Sequence, residues 1–170
     1  MPLDIHSPAQ IDPLLERVRI AATRTAQALA RLTDSEPDGL EVLRRMKFTE
    51  MAWDPLDDRQ LNLVEQVNQT WTYLVSLFER HPDAGGFRLN FGTEAGSDIL
   101  SLVPNVVAAE VFAAVRPSNN RKLTKDLQKL VRECPEARAR YVFFHAPGFQ
   151  HERQQKLESL DGIEVWGINV

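Results

Sequence analysis

Two acidic residues near the middle of the chain stand where acids are uncommon. Glu110 lies within VVAAEVFAAV, residues 106–115, where every neighbour is apolar, and Asp98 follows a Gly-Ser turn. A carboxylate that is buried without a partner is unfavourable because it loses its water. A hard divalent cation would compensate for that loss, and Mg²⁺ typically takes one or two protein carboxylates together with water and substrate phosphate. Asp98 and Glu110 therefore indicate a site for Mg²⁺ (or Mn²⁺).

Each of the two acids also has an ordinary structural explanation. Aspartate is common in turns for local reasons, so Asp98 is consistent with a residue that caps the backbone of a glycine-containing turn. Glu110 would need no partner on the exposed face of an edge strand. Alternation along a strand puts Ala108 and Phe112 on the same face as Glu110, which favours a covered face.

Three strand-like runs and the helices around them must position these acids. The connection between the second and third runs is only Val103-Pro104-Asn105, so we expect these two strands to be adjacent. Hydrophobic spacing predicts a helix at 59–80 before the runs and another ending near Cys134 after them. The remaining predicted elements are strands at 87–93, 97–103, 106–115, 139–146 and 163–170, and a short helix at 151–160.

The first part of the chain reads as helical. Asp12-Pro13 is typical of a helix start, the helix is predicted to end near Leu32, and a short helix is predicted at 40–47. We therefore predict a helical N-terminal extension (1–58) packed on an α/β core (59–170). The fold class is α/β: a mixed central sheet flanked by helices, with an antiparallel meander followed by parallel strands.

Composition places the chain among ordinary globular proteins. The 170 residues are 43% hydrophobic and 26% charged, with a formal net charge of -4, which excludes a wholly basic binder but not a local basic patch. Cys134 is the only cysteine, which excludes an intramolecular disulfide and a cysteine-based zinc site. The chain begins without the features of a signal peptide and has no run long enough to span a membrane, so we expect a cytoplasmic protein.

The order of elements and the two acids together resemble the PD-(D/E)xK nuclease superfamily, the restriction-endonuclease-like fold. The resemblance covers roughly residues 59–170 and implies an αβββαβ core with a further helix and strand. It also implies that Asp98 and Glu110 are catalytic acids that bind Mg²⁺ (or Mn²⁺), and that a glutamate on the preceding helix completes the site. Glu65 is the candidate for that glutamate, although a solvated helix residue is the alternative.

The family motif places a lysine two residues after the second acid, and this chain has Phe112 there. Some branches of the superfamily take the lysine from a neighbouring element. Lys122, in the first turn of the following helix, is the candidate catalytic lysine because its side chain could fold back toward Glu110. Lys125, one turn further on, is the second choice.

The same helix carries basic residues at the spacing of one helical face. Arg121, Lys125 and Lys129 form an i, i+4, i+8 row, and Asn120 precedes them. Such a row is often only a solvated face, but beside the predicted site it would suit the phosphates of a nucleic acid.

These observations lead to three hypotheses. The first is a Mg²⁺-dependent nuclease that cleaves phosphodiester bonds in nucleic acid, with DNA as the expected substrate. Its N-terminal helices could form a homodimer interface or cover the sheet of the same chain. The second is a non-catalytic binding or interaction module that kept the same fold and lost the lysine, as Phe112 suggests. The third is an unrelated α/β domain in which the acids are incidental.

Overall fold

The computed structural model describes residues 2–35, 38–41, 73–90, 96–114, 116, 118, 121–160 and 162–168. Seven strands form one sheet: β1 (Leu3–Ile5), β2 (Phe87–Leu89), β3 (Ile99–Ser101), β4 (Val107–Ala113), β5 (Ala139–His145), β6 (Glu152–Arg153) and β7 (Ile163–Ile168). Its helices include α1 (Ile11–Ser35), α2 (73–80) and α3 (Lys122–Glu133). The chain is thus an α/β protein with a mixed sheet, as the sequence predicted.

The strands lie in the order β1-β2-β3-β4-β5-β7-β6. Strands β1 to β4 pair antiparallel, β4, β5 and β7 pair parallel, and β6 closes the far edge antiparallel to β7. This confirms the predicted antiparallel meander followed by parallel strands. The helix α3 connects β4 to β5, as parallel neighbours require.

Helices cover both faces of the sheet. Residues of α1 and α2 pack on the face that carries Val107 and Val111, and residues of α3 pack on the face that carries Ala108 and Phe112. Leu123, Leu127 and Leu130 recur at helical spacing on α3 and form its apolar contact with the sheet. Alternate residues of β4 therefore enter two separate cores.

The connection between β3 and β4 is tight, as the sequence indicated. Asn105 has a φ of 64°, a left-handed conformation that asparagine tolerates better than most residues. Its carbonyl accepts a hydrogen bond of 2.9 Å from the backbone of Arg138, just before β5. The turn thus makes β3 and β4 adjacent and ties them to the next strand.

The prediction of a helix at 151–160 is wrong. That segment contains the two-residue strand β6 and a 3-10 turn at Gln155–Leu157. The backbone N–H of Gln154 donates to Val165 at 2.7 Å, and the side chain of Arg153 binds Glu158 and Glu164. Pairing with β7 satisfies backbone polar groups of this segment, and the ion pairs satisfy its charged side chains. A helix with few apolar residues would have little surface to pack on the core.

The strand β1 was not expected from the sequence. It adds to the edge of the sheet beside β2, and Arg88 binds Asp4 across the two strands at 2.8 Å. Its three residues are too few for a clear alternation pattern, so its pairing comes from contact with β2.

Several sequence predictions lie outside the described residues. They include most of the predicted helix at 59–80, the end of the predicted strand at 87–93, and the boundary between 58 and 59. Within the described part of the chain, no helix has the length and apolar character needed to cross a membrane.

Candidate functional site

The two acids singled out in the sequence are brought together by the pairing of β3 with β4. Ile99 pairs with Ala109 and Leu100 with Ala108, and the same antiparallel register places Asp98 opposite Glu110 one step further. Directly opposite residues of neighbouring strands project from the same face of a sheet. The sequence prediction that both acids share one site therefore agrees with the strand register.

Asp98 is anchored to the strand that carries Glu110. Its Oδ2 accepts a hydrogen bond of 2.7 Å from the backbone N–H of Val111. Burial raises the pKa of Asp98, and the Val111 hydrogen bond, the charges of Lys129 and Lys122 and a hydrogen bond with Glu110 lower it in part. The pKa of Asp98 remains above its usual value.

Glu110 is a fully covered carboxyl, with 1% of its surface exposed. The ammonium of Lys129, on α3, lies 2.9 Å from Oε1 and 3.0 Å from Oε2, and only the contact with Oε2 has hydrogen-bond geometry. The buried Oε1 accepts no hydrogen bond within the described residues. Glu110 is thus neutralised by Lys129, whose ammonium lies within 3.0 Å of both carboxyl oxygens.

The neighbours of Glu110 shift its pKa in opposite directions. Burial and then the negative charge of Asp98 raise the pKa of Glu110, the hydrogen bond and charge of Lys129 lower it, and the result is a pKa of about 7. The two acids therefore lie close enough to affect each other, and Glu110 gains or loses its proton near neutral pH.

Lys129 joins α3 to the two strands that carry the acids. Besides Glu110, its ammonium donates a hydrogen bond of 2.7 Å to the carbonyl of Gly96, which precedes β3. Burial alone lowers the pKa of Lys129, but Glu110 and Asp98 outweigh it, so the pKa of Lys129 is raised. Lys129 therefore stays protonated beside the acids.

Lys122 has a different partner from the one expected. Its ammonium binds Asp126, one turn further along α3, and lies 5.9 Å from the centre of the Phe112 ring. Asp126 is only 2% exposed, and burial raises its pKa against the opposing effect of Lys122. Lys129 rather than Lys122 thus reaches Glu110, and the catalytic role of Lys122 stays a prediction.

Phe112, at the position of the family's lysine, belongs to the core. It is 3% exposed and stacks on Phe144 at a ring-centre distance of 5.8 Å. A lysine at this position would have to bring its charge into the apolar layer under α3. A positively charged side chain at this site therefore comes from α3, which packs on the same face of the sheet.

The other predicted residues are distributed as follows. Arg121, just before α3, and Lys125, on α3, are exposed, so the row that they formed with Lys129 is divided between the surface and the Glu110 contact. Arg121 adopts a φ of 55° at the start of the helix. Glu65 and Asn120 lie outside the described residues.

The donor set for a cation consists of two carboxyls. Within the described ranges, no group of three or more histidine, cysteine, aspartate or glutamate residues could hold a metal ion. Two protein carboxylates remain within the usual number for Mg²⁺. Carboxylate oxygens are of the right chemical type for this role, and Oε1 of Glu110 lies 2.9 Å from the Lys129 ammonium.

Two features of the site escaped the sequence analysis, and each had a signal. Asp126 falls between Leu123 and Leu130 on the apolar side of α3, where an acid is expected to need a partner. The other feature is the pairing of Lys129 with Glu110. The helix α3 runs back along β4, and three strand residues span about 10 Å, which corresponds to about seven helical residues. Glu110 is three residues before the end of β4, and Lys129 is seven residues after the start of α3. The two residues therefore lie at the same level along the strand.

Comparisons of the chain with models of protein families, with curated proteins and with solved structures gave no significant match.

Proposed function

We propose that this chain is a metal-dependent nuclease that hydrolyses phosphodiester bonds, with DNA as its substrate. The observation that carries the proposal is the meeting of three side chains: the carboxyls of Asp98 and Glu110, and the ammonium of Lys129 in contact with Glu110. Hydrolysis of a phosphodiester is favoured by a cation-binding pair of acids and a nearby ammonium. A homodimer, which would give one site to each strand of a duplex, is part of the same proposal.

The order of elements supports a restriction-endonuclease-like core. The helix α2 precedes three antiparallel strands, β2 to β4, and α3 then leads to the parallel strand β5. The acids occupy the second and third of these three strands, counting Asp98 with β3, which it directly precedes. This order is consistent with the proposed core.

Asp98 and Glu110 would hold the divalent cation, Mg²⁺ or Mn²⁺. When bound, the cation would lower the pKa of a water molecule and neutralise a phosphate oxygen. Asp98 is fixed for this role by the Val111 N–H, and Glu110 by its place within β4. Because the pKa of Glu110 is raised, this residue would have to be ionised to hold the cation.

Lys129 supplies the positive charge that the family motif takes from the strand. Its contacts with Glu110 and with the Gly96 carbonyl hold the ammonium beside both acids. From there it can orient a water molecule or stabilise negative charge that develops on phosphate. In this proposal Lys122, which is paired with Asp126, contacts the substrate and does not contact Glu110.

A non-catalytic binding module with the same core is the second candidate. Two observations favour it: Lys129 already neutralises Glu110, and the motif position is occupied by the buried Phe112. A buried ion pair of this kind also fits a purely structural role. Catalysis and binding therefore have to be measured separately.

The test is cleavage of supercoiled plasmid with Mg²⁺ or Mn²⁺ by the parent protein and three variants. Glu110→Gln removes a ligand with little change in shape, and Lys129→Met removes the ammonium. We expect each to reduce cleavage by about 10²–10⁴-fold. Arg132→Met, at an exposed position of the same helix, is the matched control and should cleave as the parent does.

The outcomes separate the hypotheses. Cleavage that survives Glu110→Gln would reject this site. Absence of cleavage by the parent with either metal, together with DNA binding in a mobility-shift assay, would favour the binding module. Absence of both activities would reject both candidates.

A further inference from the structure

A cavity that no part of the proposed nuclease site uses lies at the starts of the parallel strands β5 and β7. Its volume is about 410 Å³, which is within the range of roughly 300–1,000 Å³ for small-molecule sites. Its charged lining residues are Arg138, Arg140, Arg153, Glu158 and Glu164, so positive side chains outnumber negative ones.

The three arginines differ in whether they have partners. Arg138 binds Asp83 at 2.7 Å, and Arg153 binds Glu158 at 2.7 Å and Glu164 at 3.2 Å. For Arg140 the described residues provide no ion pair and no side-chain hydrogen bond, and its Nε is buried without an acceptor. Arg140 is therefore the guanidinium whose hydrogen-bonding capacity the described fold leaves unused.

A glycine makes room for this guanidinium. Gly162 has a φ of 75°, and a Cβ placed on it would lie 3.0 Å from Nη2 of Arg140. A larger residue at 162 would strain the backbone and crowd the guanidinium. The absence of a side chain at 162 leaves space for Arg140 beside the cavity.

A guanidinium N–H that is buried without an acceptor is unfavourable, and an anion in the cavity would relieve that cost. The planar fork of arginine matches the oxygens of phosphate and of carboxylate. Phosphate offers more acceptor oxygens than carboxylate, and Arg138 and Arg153, although paired with acids, also line the cavity. We infer that this cavity binds a small anion through a phosphate group, with Arg140 as its main ligand.

The phosphate group could come from a free phosphate compound or from a nucleic-acid backbone. The first arm of the test therefore titrates inorganic phosphate, with chelator present, into the nitrogen-15-labelled protein. The second arm uses a single-stranded oligonucleotide without terminal phosphates. We expect the backbone amide signals of Gly162 and Ile163 to shift in at least one arm, beyond a chloride titration at equal ionic strength.

Variants assign the binding to Arg140. Arg140→Gln should weaken binding by about tenfold or more, as expected for loss of charge-assisted hydrogen bonds. Arg140→Lys, which keeps the charge but not the fork, should give an intermediate loss. Arg132→Gln is the matched control because Arg132 is exposed, pairs with Glu133 and lies outside the cavity.

Each result decides the inference. It is supported if the amides shift and Arg140→Gln weakens binding while Arg132→Gln does not, and the responding arm identifies the source of the phosphate. It is overturned if the parent shows no shift in either arm, or if the Arg140 variants bind as tightly as the parent. If Arg140→Gln does not fold, the parent titration and Arg140→Lys decide.

Discussion

The two faces of β4 are built from alternate residues of one strand and differ in chemistry. Val107, Ala109 and Val111 face the core that contains residues of α1 and α2, and the described members of this cluster are apolar residues and two tyrosines. On the other face, Glu110 stands between Ala108 and Phe112 under α3. The same strand thus carries an ordinary core and a candidate site.

Burial does not distinguish these faces. Val111 is 2% exposed and Glu110 is 1% exposed. The difference lies in the covering helix, because α2 presents Tyr73, Leu74 and Leu77 whereas α3 brings Lys129 to the sheet. An acid is tolerated on the face where a long basic side chain can reach it.

The largest effect should follow from placing an acid on the wrong face. Val111→Glu would bury a carboxylate among apolar side chains, and we expect it to lower the free energy of unfolding by at least about 4 kcal/mol. Urea denaturation followed by circular dichroism measures this loss. Ala113→Glu, at an exposed position of the same strand, is the control and should change stability by less than about 0.5 kcal/mol. Equal effects would mean that burial at position 111 does not cause the loss.

A smaller loss should follow from removing only the cation. Lys129→Met leaves Glu110 buried without its partner, and we expect a loss of about 3 kcal/mol at pH 8. The loss should be smaller at pH 5, where Glu110 is protonated and needs no cation.

The double variant Glu110→Leu with Lys129→Met would make the face of β4 under α3 apolar, like the face that carries Val107 and Val111. We expect its stability to return to within about 1 kcal/mol of the parent. Urea denaturation of both single variants and the double variant gives the coupling between the residues. A coupling near zero would show that Lys129 does not stabilise Glu110.

A further prediction concerns the dependence of stability on pH. The pKa of Glu110 is raised from 4.5 to about 7, so the folded state favours its protonated form. This contribution to stability is complete below the ordinary pKa and is lost as the pH rises through about 7. In the proposed nuclease, Mn²⁺ binding needs the ionised form, so its affinity should increase over the same range.

Calorimetric titration with Mn²⁺ at a series of pH values measures this dependence. We expect affinity to rise by up to about tenfold per pH unit while one proton is released. Lys129→Met should move the midpoint to higher pH because it removes the charge that lowers the pKa of Glu110. A midpoint unchanged by that variant would contradict the assigned role of Lys129.

Much of the fold could be predicted because its signals are local. The leucines of α3 recur at helical spacing, and β4 and β5 are apolar runs bounded by turns. The prediction was wrong at 151–160, where a polar segment was read as a helix. Its pairing with β7 depends on residues that lie beyond its own sequence, and the same holds for β1 beside β2.

The sequence by itself determined that an acid would lie in an apolar strand. It also indicated that this face would be covered, since the alternation of the strand puts Ala108 and Phe112 on the same face as Glu110. It also determined that Asp98 would come from the neighbouring strand, because the turn between them is short. These conclusions follow from the two-residue period of a strand and from chain connectivity.

The tertiary structure alone decided which lysine meets Glu110. Lys122, Lys125 and Lys129 are equally basic, and their order in the sequence favoured the first. The direction in which α3 runs back along β4 places Lys129 level with Glu110 and leaves Lys122 to Asp126. A side chain reaches its partner according to the axial position and rotation of the packed helix, and those are properties of the contact between elements rather than of either segment.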